Sequence, residues 1–181
     1  MKVIETNLKG CFVIEPTVFG DERGYFFESF HKEKFKEFIG QEIEFVQDNE
    51  AFSNRGVLRG LHFQKGEHAQ AKLVRVVKGK VLDVAVDLRP NSKTYGEVFS
   101  CVLSEQNKKQ LYVPRGFAHG YSVLEDNTVF VYKCDNYYNP AFEDGVYYND
   151  VSLNIDWLLE ENEMILSEKD KMLKPLNEIE I

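Results

Sequence analysis

The segment from Val81 to Leu88 constrains the fold more tightly than any other stretch of this chain. Leu82, Val84, Val86 and Leu88 alternate with Val81, Asp83, Ala85 and Asp87. A period of two over eight residues is the pattern of a β-strand with one wholly apolar face and one mixed face. The preceding run, Lys72 to Val77, is also strand-like, and Lys78-Gly79 between the two predicts a tight hairpin turn, because glycine takes positive φ freely. Further strands are expected over Gly10 to Pro16, Tyr25 to Phe30, Val98 to Leu103, Leu111 to Val113, Tyr121 to Val123 and Thr128 to Asp135. Many short strands punctuated by Gly, Asn and Asp predict an antiparallel sandwich or barrel, not alternating β-α units. Helices are few. Lys32 to Ile39 carries Phe35, Phe38 and Ile39 at helical spacing and ends at Gly40. Ser167 caps a short helix that Pro175 limits.

With 181 residues the expectation is one domain over 1–181, without repeats or linkers. Lys plus Arg number 22 against 30 Asp plus Glu, a net charge of −8, which argues against a general nucleic-acid binder. No run approaches the roughly 18 apolar residues of a membrane span, and the first ten residues lack the apolar centre of a signal peptide. Cys11, Cys101 and Cys134 are widely spaced, odd in number and form no Cys-x-x-Cys pair, so they read as reduced, buried thiols of a cytoplasmic protein.

Three blocks could carry chemistry: Gly56 to Gln64 followed by Gln70 to Lys72, Val113 to Gly120, and Val131 to Lys133 with Tyr137 and Tyr138. If the first is extended, Arg59 and Leu61 lie opposite Gly60, His62 and Gln64, while Phe130 and Tyr132 share a face. Arg59, His62, Lys72 and His119 in strand-rich sequence suggest a cavity that takes an anionic ligand. A metal site competes: Pro114, Gly116 and His119 follow the second half of the cupin metal motif. In the first half, however, Gln64 stands where a second imidazole belongs, and an amide is a poor ligand for zinc or iron. Neither a dinucleotide or phosphate loop nor a serine-nucleophile elbow occurs.

Taken together, Phe19 to Glu28, Phe45 to Asn49, Val57 to Gln64, Asp83 to Arg89, Pro114 to Gly120, Tyr132 to Tyr138 and Leu166 to Asp170 closely resemble the dTDP-4-dehydrorhamnose 3,5-epimerase family, over nearly the whole chain and in order. The resemblance implies a mainly β, cupin-type jelly roll with a few short helices, a homodimer, and no metal or redox cofactor. The implied substrate is dTDP-4-dehydro-6-deoxy-D-glucose, inverted at C3 and C5 on the way to dTDP-L-rhamnose. The alternatives are a mono-epimerase or ketoisomerase on a related dTDP-4-keto sugar, a non-catalytic sugar-binding module and a cupin oxygenase.

The resemblance also assigns roles. His62 is the candidate base, since imidazole accepts a proton near neutral pH. Asp170, which spacing alone reads as a helix-cap carboxylate, would hold the other ring nitrogen. Tyr132 is the candidate acid, and Lys72 would stabilise the enolate oxygen. Arg23 and Arg59 would meet the diphosphate, Phe26 and Tyr138 would sandwich thymine, and Glu28, Gln47, Asn49, His119, Glu143 and Lys169 match further substrate-binding positions.

Overall fold

The computed structural model describes residues 1–180, and all counts here are of those residues. Along the chain run β1 (Lys2–Glu5), β2 (Phe12–Glu15), β3 (Phe19–Asp21), β4 (Gly24–Phe26), α1 (Lys32–Ile39), β5 (Gln47–Ser53), β6 (Leu58–Gln64) and β7 (Lys72–Lys78). Next come β8 (Lys80–Asp87), β9 (Val98–Ser104), β10 (Gln110–Val113), β11 (Phe117–Val123), β12 (Thr128–Cys134), β13 (Glu143–Gly145) and α2 (Glu168–Lys171). A six-stranded sheet, β1-β2-β10-β7-β12-β5, packs against a five-stranded sheet, β13-β6-β11-β8-β9, and β3 pairs with β4 alone. All pairings between these strands are antiparallel, and many neighbours are distant in sequence, as a jelly roll requires. No helix is long and apolar enough to cross a membrane.

The expected hairpin at Lys78-Gly79 is not there. β7 pairs with β10 and β12, whereas β8 pairs with β9 and β11, so the chain changes sheets at this corner. Gly79 has φ 79°, and a Cβ on it would sit 2.2 Å from Thr128 Oγ1. The alternation marked both strands correctly but could not name their partners. The two close the same interior from opposite sides, β7 with Val74 and Val76 and β8 with Val81 and Ala85.

Between the sheets, Val74, Val76 and Phe130 meet Val81, Ala85, Phe117, Tyr121 and Val123. The wholly apolar face of β8 turns the other way. Leu82, Val84 and Val86 pack under Val146, Tyr148, Leu153 and Trp157 of the C-terminal segment. The mixed face of β8, with Asp83 and Asp87, therefore points into the sandwich. At one end of the six-stranded sheet, α1 buries Phe35 against Ile43, Leu73 and Tyr112, and Gly40 ends it in the left-handed region at φ 77°.

Candidate active site

Inner-face residues of the two sheets enclose a cleft of about 560 Å³. Ala51 of β5, Lys72 of β7, and Phe130 and Tyr132 of β12 form one wall; Arg59 and His62 of β6, with His119 and Tyr121 of β11, form the other. The segment 165–170 closes one side through Ile165, Ser167, Lys169 and Asp170. An adjoining hollow of about 310 Å³ shares His62, Lys72 and Tyr132 and adds Gln47, Asn49, Gln64, Tyr138 and Glu143.

His62 Nε2 lies 2.6 Å from Asp170 Oδ1, which leaves Nδ1 as the ring nitrogen with no hydrogen bond among the described residues. Asp170 is 4% exposed. Burial opposes its ionisation, but the bond and charge of His62, aided by Ser167, prevail and hold its carboxyl below the usual aspartate range. Its place depends on the C-terminal segment. Leu58 N donates to Ile165 O at 3.0 Å and Ile165 N donates to Gly56 O at 2.8 Å, and the Ser167 hydroxyl caps α2 by accepting from Asp170 N at 3.1 Å. Asp170 is thus both a helix-cap neighbour and the His62 partner.

Arg59 shares the cleft with His62 instead of lying on the opposite face. His119 pairs with His62 and Tyr121 with Arg59, so two steps on β11 match three on β6. That bulge reverses the alternation and turns Arg59 inward. Its backbone needs glycine: Gly60 has φ 128°, and a Cβ there would lie 2.6 Å from Gly120 Cα. The Arg59 guanidinium reaches Ser53 Oγ at 3.2 Å.

Tyr132 stands on the wall facing His62, and burial raises its phenol pKa above the ordinary value, so it carries its proton. Lys72 has no ion-pair partner within 4 Å among the described residues. Burial lowers its pKa, while Cys134, Asp83 and Glu143 pull the other way. His119 is 6% exposed, and its Nε2 lies 3.0 and 3.1 Å from the two oxygens of Asp83.

At the mouth, Tyr138 Oη donates to Glu143 Oε2 at 2.5 Å, and Lys169 Nζ pairs with the same oxygen. Burial works against the Glu143 charge, but these two partners outweigh it and lower its pKa. Gln47 accepts from Tyr138 N at 3.0 Å and donates to Asn49 Oδ1 at 3.1 Å. Three expected binding residues lie elsewhere within one chain. Arg23, at the tip of the β3–β4 hairpin, pairs with Asp21 at 2.5 Å; Phe26 is 66% exposed; Glu28 pairs with Lys34 at 2.5 Å. Gln64, at the failed metal-motif position, accepts from Asn139 N at 2.9 Å.

The model of the family described as dTDP-4-dehydrorhamnose 3,5-epimerase matches residues 5–178. The chain belongs to this family. It is 51% identical over 178 residues to the dTDP-4-dehydrorhamnose 3,5-epimerase of Methanothermobacter thermautotrophicus, covering 98% of this chain and 95% of that one. The crystal structure of the Elizabethkingia anophelis dTDP-4-dehydrorhamnose 3,5-epimerase is similar at a TM-score of 0.95 and 56% identity, over 98% of this chain and 97% of that one. A Legionella pneumophila dTDP-6-deoxy-D-glucose-3,5-epimerase in complex with dTDP-4-keto-L-rhamnose gives 0.95 and 46%, over 99% and 94%. The mainly β, cupin-type sandwich expected from the sequence is the fold of this family.

The sequence reading placed Ser167 as the cap beside Asp170 and missed Asp83 as the partner of His119. The signal for Asp83 was present: a carboxylate inside a strand whose two faces are both covered.

Proposed function

We propose that the protein inverts C3 and C5 of dTDP-4-dehydro-6-deoxy-D-glucose to give dTDP-4-dehydro-L-rhamnose. The observation that carries this reading is the placement of His62 and Tyr132 on facing sheets across one cleft. The C4 ketone acidifies the hydrogens on C3 and C5. His62 Nδ1 takes one of them as a proton, and the electron pair moves onto O4 as an enolate. Asp170 stabilises the imidazolium that forms. Lys72 meets the negative oxygen; a donor in such a place typically contributes about 3–4 kcal/mol to the barrier. Tyr132 then delivers its phenolic proton to the opposite ring face, which inverts the carbon, and water at the cleft mouth restores both rings. Arg59 serves the diphosphate, and the hollow holding Gln47, Asn49, Tyr138, Glu143 and Lys169 receives the nucleoside. His119 binds beside the sugar.

The test is to incubate enzyme and substrate in D₂O and read the sugar by NMR, with and without chelator. Deuterium at both C3 and C5 is the expected result in either case. Label at one carbon only identifies a mono-epimerase, carbonyl migration a ketoisomerase, and no exchange a binding module.

The working unit in this reading is a homodimer. On the outer face of the six-stranded sheet, Val131 is flanked in register by Arg75 on β7 and Glu50 on β5. Neither charge has an ion-pair partner among the described residues. A two-fold axis through this face sets each Arg75 against the other copy's Glu50. The β3–β4 hairpin, with Phe19, Tyr25 and Phe26 exposed, then extends to the second copy's cleft and brings Arg23, Phe26 and Glu28 to the nucleotide. The single chain is thus one of two partners, and its three unpaired cysteines suit the reducing cytoplasm.

A further inference from the structure

Strand β8 carries two buried aspartates four residues apart on the same inner face, and their surroundings differ. Asp87, fully buried, receives hydrogen bonds from Arg89 N, Arg89 Nε and Nη2, Ser92 Oγ and Thr94 Oγ1, at 2.6–3.0 Å. Asp83 is also 0% exposed, yet its two oxygens share a single side-chain donor, His119 Nε2. A carboxylate so placed is expensive to bury, and removing one member of a buried pair leaves the other uncompensated. Asp87 ties down a loop; Asp83 ties down no backbone at all.

Resting on the epimerase reading above, we propose that Asp83 is a positioning residue of the reaction chamber. It fixes His119 with the proton on Nε2, so that Nδ1 is presented to the sugar as an acceptor. Burial pushes the Asp83 carboxyl up and the Lys72 ammonium down, and the attraction between the two, with His119 on the aspartate side, pulls each back toward its charged form. The groups facing Asp83 are His119 and Tyr121 on β11, Lys72 on β7, Cys101 directly opposite on β9, and Cys11 ahead of β2. Around Lys72 the remaining groups are His62 on β6, Tyr132 and Cys134 on β12 and Glu143 on β13. Burial raises all three thiols, Cys134 to about 11 and Cys11 to about 12, so they are neutral at working pH. Glu143 is already engaged by Tyr138 and Lys169. Asp83 is therefore the counter-charge left for Lys72.

The test compares wild type with Asp83→Asn in the deuterium-exchange assay from pH 6 to 9.5, alongside thermal unfolding. The expected result is exchange reduced at least tenfold through kcat, beyond what any loss of folded protein at the assay temperature accounts for, and the alkaline limb moved at least one pH unit lower. Exchange that falls only in step with a lowered melting temperature, or an unmoved alkaline limb, overturns the proposal. A second measurement needs neither the variant nor the substrate: ¹⁵N NMR of labelled wild-type protein. Lys72 Nζ is expected to remain an ammonium at pH 8, with His119 protonated on Nε2 and bare on Nδ1. A neutral Lys72 amine or the reverse tautomer overturns it. Absence of exchange in wild type would defeat the epimerase reading and leave this NMR result intact.

Discussion

His62 and Tyr132 work from opposite walls, so losing each has a different consequence. His62→Ala removes the group that starts the reaction, and deuterium incorporation should fall by at least the 10²–10⁴-fold typical of a general base. Tyr132→Phe removes only the returning proton, so exchange at C3 or C5 should persist while inversion fails; the two readouts are separated by running NMR and product stereochemistry on one sample. Elsewhere on β8, Asp87 makes a stability prediction. Burial opposes its charge, but Arg89, Ser92 and Thr94 outweigh it and bring its pKa to about 2. A carboxyl lowered on folding stabilises the native state above its unfolded pKa of ~3.9, and that contribution fades as pH falls toward 2. Stability should therefore drop between pH 4 and 2 by on the order of 1–2 kcal/mol, read as a falling melting temperature, and Asp87→Asn should be less stable at pH 7 with a flatter profile over that range. Single residues were also where the sequence was least explicit. The spacing of Ser167 and Asp170 reads as a helix cap, which it is. Nothing local says that the same carboxylate meets an imidazole 108 positions earlier.

Strands and helices were far more legible than their partners. The alternation of β8, the inward sharing of Phe130 and Tyr132 on β12 and the α1 stop at Gly40 all follow from local periodicity and backbone freedom. The corner at Gly79 and the inward turn of Arg59 do not, because each is decided by a distant strand: Thr128 on β12 in one case, Gly120 on β11 in the other. Strands β1, β3, β5 and β13 escaped notice because they are short, exposed or rich in polar residues; β5, for instance, reads Gln-Asp-Asn-Glu-Ala-Phe-Ser. The β6 bulge gives the test at this scale. Gly60→Ala places a methyl group against Gly120 Cα in a backbone region that L residues avoid. The expected cost is about 2–3 kcal/mol in urea unfolding. The diphosphate should also bind more weakly, because a regularised strand would turn Arg59 out of the cleft.

For the whole molecule, the unpaired charges beside Val131 predict the association state. Wild type should sediment at twice the 21.0 kDa chain mass. Arg75→Glu should set like charges against each other and give monomers, and adding Glu50→Arg should restore the dimer. A dimer that persists in the single variant would place the interface elsewhere. The hairpin has its own check. If it is donated across the dimer, inactive His62→Ala chains mixed and re-associated with Arg23→Ala chains should regain about a quarter of wild-type activity, because half the dimers are mixed and each holds one intact site. No recovery would mean that Arg23 serves its own chain.

The aspartate that completes the His62 pair rides on a four-residue helix held by its Ser167 cap, by two backbone bonds to the start of β6, by the Lys169–Glu143 pair and by one backbone bond from Tyr147 to Lys174 beyond it. Such a segment belongs to the least secure part of a structure and can peel away while the barrel stays intact. Warming should accordingly switch turnover off several degrees before the cooperative melt, and cooling should switch it back on. The protein's working range would then be set by the grip of its last turn of helix and not by the strength of its core.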